Sequence, residues 1–201
     1  MPENFLEIQK DYLKKVWLRP LEDLEKALPA QHSENSFRFR AFGESCELYA
    51  DEIILGGQQA IGPEGILIAM YANHVTDVPL QPDPLKSFKE LPHSMPYQGA
   101  FSVNAEKILG PYVSEIRKRQ QDLAALFSGT LNADPPSGDF SFTLYPLPRV
   151  ALYYIFYLPD EEFPASVNCL FPANATRFMP VAGLADVAEY TARRIIKLVL
   201  S

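Results

Sequence analysis

The chain of 201 residues is 47% hydrophobic and 21% charged, values that exclude a disordered polymer, and at that length a fold buries about 70% of its unfolded surface without a disulfide framework. A net charge of -7, from 25 acids against 18 Lys and Arg, argues against nucleic acid and anionic membrane surfaces as partners. Cys46 and Cys169 form no Cys-x-x-Cys pair, so no intrinsic iron–sulfur or zinc site is expected within one chain.

The opening "MPENFLEIQK" lacks the basic and apolar segments of a signal peptide, and no run approaches the ~20 apolar residues of a membrane span, so a cytoplasmic protein is expected. Phe5, Ile8, Tyr12, Leu13 and Val16 recur at helical spacing after Asn4, and Pro20 suits the first turn of a second helix reaching about Leu28. Together they predict an N-terminal helical hairpin over residues 1–29. "AQHSENS" reads as a polar linker. "FRFRAF" alternates as a half-exposed strand, and Gly43 and Glu44 turn the chain into "SCELYADEIIL", where Cys46, Leu48 and Ala50 share one strand face.

Pro63 predicts the start of a helix with Leu67, Met70, Tyr71 and His74 on one face. A long loop follows, with Pro79, Pro82, Pro84, Pro92 and Pro96, broken by a helical candidate at "LKSFKEL". "NAEKILG" predicts a helix ending near Gly110, and a second runs from Pro111 with Val113, Ile116, Leu123, Leu126 and Phe127 inward. After the loop "SGTLNADPPSGD", the segments "FSFTL", "VALYYIFYL" and "ASVNCLF" predict three strands, the apolar middle one central. "LADVAEYTARRIIKLVL" closes the order as a packed C-terminal helix. The pattern predicts one α+β domain over residues 1–201, with an antiparallel or mixed central sheet.

Motifs for chemistry are sparse. "GGQQAIGPEG" has P-loop glycine spacing at Gly57 and Gly62, but Pro63 and Glu64 replace Lys and Ser or Thr. Cys46 and Cys169 sit at inward strand positions, as buried apolar groups do. Of the three histidines, His74 fits the boundary of the core and His93, in the proline-rich loop, is the candidate ligand contact. The acidic run Asp160, Glu161 and Glu162 between Pro159 and Pro164 has two readings. Asp160 and Glu162 could offer oxygens to a hard cation, or the run could be a solvated turn between strands. A strand over Val150–Leu158 spans roughly 30 Å at ~3.3 Å per residue, which separates Arg149 from the acids. An antiparallel return would bring Arg177 to Arg149's end, placing cations and acids at opposite ends of the sheet.

The segments "SFKELPHSMPYQGAF" and "GDFSFTLYPLPRVALYYIFYLPDEEFPASVNCLF" resemble the family of domain of unknown function 3786, from about Phe37 to the C-terminal helix. The resemblance rests on "SFKELP", Asp139, "YPLPRV" and "DEEFPA" followed by "LF". It implies membership of a family without an established reaction, typical of anaerobic bacteria and archaea, in a setting of corrinoid or one-carbon metabolism. Some relatives carry a cysteine-rich iron–sulfur segment that this chain lacks, and Pro172 stands after "LF" where relatives are expected to have an acid. The function this implies is an accessory binding domain with a small-molecule or protein partner. Two alternatives stay open: a metal-dependent enzyme using Asp160, Glu161 and Glu162, and a homodimeric scaffold.

Overall fold

The computed structural model describes residues 2–133 and 137–201. Its first helices are α1 (Pro2–Val16) and α2 (Leu21–Ala27). In α1 the buried stripe is Gln9, Leu13 and Val16, whereas Phe5 and Ile8 remain 37% and 38% exposed. The stripe is rotated from the one the apolar spacing predicts because α1 docks where a later helix carries Gly65. A Cβ there would lie 2.5 Å from the Ala60 carbonyl oxygen and 2.7 Å from Gln9 Oε1, so the absent side chain sets the close approach.

Five short strands follow: β1 (Gln31–Ser33), β2 (Ser36–Ala41), β3 (Glu44–Leu48), β4 (Ile53–Leu55) and β5 (Gln58–Gln59). They pair antiparallel in chain order. The predicted polar linker thus contains a strand, β1, paired from Gln31 with Arg38 to Ser33 with Ser36. Its side chains are exposed, so backbone pairing places it and burial leaves no pattern to read. The segment from Cys46 to Leu55 is likewise two strands, since β3 ends at Leu48 before Ala50. At the β2–β3 turn Phe42 and Gly43 have φ of 50° and 85°, the left-handed pair that suits a tight hairpin.

Helix α3 (Pro63–His74) buries Gly65, Leu67, Ile68, Ala69, Tyr71 and Ala72, which leaves it apolar on most sides. His74 sits exposed at its end, with Nε2 3.1 Å from the Thr176 carbonyl oxygen. The segment predicted helical at "LKSFKEL" begins instead as β6 (Leu85–Ser87), and only Phe88–Glu90 makes a 3₁₀ turn. From Met95 the chain stays helical while its pitch changes. A 3₁₀ turn (Met95–Tyr97) leads into α4 (Gln98–Phe101), a π-helical turn (Ser102–Glu106), a 3₁₀ stretch (Lys107–Tyr112), α5 (Val113–Lys118) and α6 (Gln120–Leu126). Gly110 and Pro111 do not divide two helices; the 3₁₀ stretch carries both. The buried face Phe101, Ala105, Leu109, Val113 and Ile116 runs through the changes of pitch and holds the segment to the core.

The second sheet comprises β7 (Thr130–Asn132), β8 (Phe140–Leu147), β9 (Val150–Tyr157), β10 (Ser166–Pro172) and β6, in the order β6-β10-β9-β8-β7. As the apolar run predicts, β9 is central. Strand β7 lies in the predicted loop, of which residues 134–136 fall outside the described residues. Phe140 and Phe156 stack at 4.6 Å, and Phe142 and Tyr154 pack beside them. Burying each such ring contributes about 1.5–3 kcal/mol. The C-terminal helix α7 (Val181–Leu200) inserts Leu184, Val187, Ala188 and Ile195. Its Tyr190 ring meets Phe42 edge-on at 4.6 Å, and Arg194 pairs with Glu44 at 2.7 Å. The architecture is α+β, with its strands in two antiparallel sheets and one continuous apolar cluster joining them to the helices. No helix among the described residues is long and apolar enough to cross a membrane.

Candidate functional site

The acidic run turns the chain from β9 into β10. Asp160 Oδ1 accepts the backbone N–H groups of Glu162 at 2.8 Å and Phe163 at 2.7 Å, and the Asp160 N–H donates to the Phe163 carbonyl. Those N–H groups hold the Asp160 carboxyl below its ordinary 3.8. Glu161 and Glu162 are exposed. Among the described residues, no three His, Cys, Asp or Glu side chains gather as a cation site.

Arg149 stands at the other end of β9 from these acids. Its guanidinium donates from Nε to the Ala27 carbonyl at 2.9 Å, from Nη1 to Val78 at 3.0 Å and from Nη2 to Lys26 at 3.3 Å, tying the end of α2 to the segment after α3. Arg177, in the 3₁₀ turn Ala175–Arg177 after β10, shares that end. Its side chain is exposed and its carbonyl accepts from Thr76 Oγ1 at 3.2 Å. His93 is exposed between β6 and α4, with a left-handed φ of 63°. The fold therefore gathers Arg149 and Arg177 at one end of the sheet and sets the acids at the other.

A groove of about 630 Å³ lies beside the acidic turn, within the volume range of small-molecule sites. One wall is the helical stretch from Ser102 to Ser114; the other is Pro159 and Pro164 through Asn168. A second hollow, of about 480 Å³, lies on the Asp139 and Asp160 side, and the two share Pro164 and Ser166. Asp139 fastens that side, since its Oδ2 accepts the Leu158 N–H at 2.7 Å. Elsewhere, a hollow of about 530 Å³ between α2 and the first sheet is lined by Arg38 and Arg40. Both are engaged, Arg38 by Glu47 and Arg40 by the carbonyls of Gly43 and Leu126.

The distinctive group in the larger groove is Glu106, the last residue of the π-helical turn. Such turns widen the helix locally and re-aim the side chains that follow, and they recur at functional sites. Glu106 Oε1 accepts the Cys169 N–H at 3.0 Å. On its other side β10 is paired with β6 only from Leu170 to Pro172, so the carboxylate satisfies the backbone where the short neighbouring strand has ended. Burial raises the Glu106 carboxyl above its ordinary 4.5, against the opposing pulls of the Cys169 N–H, Lys107 and Ser102.

Behind Glu106, Cys169 and Tyr154 are cross-strand partners and fully buried. Burial first, and Glu106 second, holds the Cys169 thiol well above its ordinary 9.0. Burial likewise keeps the Tyr154 phenol protonated, with the Cys169 thiol beside it on the neighbouring strand. Cys46, also buried, is pushed up to about 12. Both thiols are thus protonated and enclosed, which suits packing and not nucleophilic attack. A half-buried carboxyl facing a groove has the environment of a proton-transferring or ligand-holding group. Nothing in the "NAEKILG" pattern marks Glu106: it adjoins the apolar face at Ala105, and its setting comes from the π turn and from distant β10.

A family model described as "Domain of unknown function (DUF3786)" matches residues 20–194, beginning earlier than Phe37 and leaving α1 outside the match. No curated protein and no solved structure matches the chain.

Proposed function

The chain belongs to the family described as domain of unknown function (DUF3786), and from that footing we propose that it is a binding domain whose small-molecule site is the groove between residues 102–114 and 159–168. The observation that carries this reading is Glu106, a half-buried carboxyl set on a π-helical turn and facing a groove of ligand size. The metabolic setting we propose follows the resemblance: an accessory role in anaerobic cofactor or one-carbon, corrinoid-linked metabolism.

The alternative of a metal-dependent enzyme built on Asp160, Glu161 and Glu162 has less support. Asp160 already spends one carboxylate oxygen on two backbone N–H groups, and its neighbours face solvent. The groove reading is tested by thermal shift of the full chain against corrinoids, folates, nucleotides and free amino acids, in wild type and in Ser114→Trp, which fills the groove from an exposed wall position. A ligand that stabilises the wild type and not the variant is the expected result. Equal stabilisation of both, or no response across the panel, overturns it.

A further inference from the structure

We propose that the groove selects a small zwitterion, whose ammonium group is received by Glu106 and whose acid group turns toward Lys107. This inference rests on the groove being the ligand site and names the chemistry of what enters it. Glu106 has one backbone donor, at Oε1, and among the described residues it makes no salt bridge. A carboxylate has room for about four donors, and Lys107 acts on Glu106 without a direct salt bridge, so a half-buried carboxylate here keeps unmet capacity. An ammonium group supplies three donors and a direct counter-charge together.

Lys107, the next residue, lines the same groove and is exposed. A simple amine would meet its repulsion, and a simple acid would meet that of Glu106. A neutral ligand would offer neither group a direct counter-charge, whereas a zwitterion offers one to each. Ser102, Ser114 and Asn168 add hydrogen-bonding groups, while Pro111 and Val167 give an apolar wall for a short carbon chain. The volume of about 630 Å³ leaves room for a ligand of amino-acid size with its water.

The titratable and charged groups around Glu106 are Lys107 on its own stretch and Cys169 and Tyr154 on the sheet. The last two stay protonated through neutral pH, so neither competes for the ammonium group. Binding draws Glu106 to its ionised form, and affinity should rise with pH above the ordinary carboxyl value.

Backbone-amide NMR of the full chain, titrated with γ-aminobutyrate, butylammonium and butyrate, tests the assignment. γ-Aminobutyrate should shift the Cys169 and Asn168 amides at a concentration lower than either single-charge probe by about tenfold, the effect of one charge-assisted contact. Glu106→Gln, of the same shape, should remove the advantage over butyrate, and Lys107→Ala should remove the advantage over butylammonium. If butyrate or butylammonium matches γ-aminobutyrate, or if both variants keep the wild-type order, the zwitterion assignment fails. The groove still stands as a ligand site in that event. If no probe shifts the groove amides, the assignment also fails, and the Ser114→Trp comparison decides separately whether the groove binds any member of the thermal-shift panel.

Discussion

Glu106 and Asp160 are carboxylates whose surroundings pull them in opposite directions, which gives each a distinct signature in pH. The folded chain holds the Glu106 proton over a window in which the unfolded chain has released it, because burial raises the native value above 4.5. Stability from this group is therefore lost as pH rises through that window. Glu106→Gln removes the effect, so the variant's Tm relative to wild type should climb between acid and neutral pH; a constant difference would contradict the burial argument. Asp160 has the reverse sign. Its depressed native value means that its contribution is present above 3.8 and disappears as pH falls through the folded value. Asp160→Ala should lower Tm at neutral pH, with the gap to wild type closing in acid, as thermal melts across a pH series would record. The acidic run was legible in the sequence because three carboxylates between two prolines stand out. Glu106 was not, since its chemistry comes from residues more than sixty positions away along the chain.

Among the elements, those with many buried side chains were readable: β2, β8 and β10 by alternation of residue type, β9 by its apolar run, α3 by its proline start and apolar residues, and α7 by its apolar face. The missed strands, β1, β5, β6 and β7, are two or three residues long and carry no buried side chains, so only their ladder partners define them. Arg149 shows how elements are fastened without any apolar signal. One guanidinium serves the last carbonyls of α2 and the chain leaving α3, from a position at the β8–β9 turn. Arg149→Met keeps much of the stem and removes the donors, and should cost about 2 kcal/mol by leaving partly buried carbonyls unmet. Chemical denaturation measures this directly. Amide exchange should also quicken in α2 ahead of β9, which separates loss of the fastening from general loosening.

At the scale of the whole molecule, the α+β class and the centrality of β9 followed from the order of patterns, while the division into two sheets did not. Hairpin strands and meander strands look alike in sequence, and the decision between one sheet and two lies in long-range packing. Phe42 makes that junction: its N–H donates to the Pro146 carbonyl at 2.6 Å and its ring rests against Tyr190 of α7. Because one continuous apolar cluster spans both sheets, unfolding should be a single transition, with near- and far-ultraviolet circular dichroism superimposing in denaturant. Separate midpoints would show the sheets to be independent units. The helical stretch from Gln98 to Leu126 has a further, heritable consequence. Because residues per turn change repeatedly, losing a single codon between Ser102 and Ala105 would change the composition very little, yet it would turn Glu106, and with it the buried Leu109, Val113 and Ile116, by roughly a quarter turn about the helix axis. The groove's acid and the apolar anchoring of this stretch are therefore set by the same count of residues, so length is more tightly constrained here than side-chain identity.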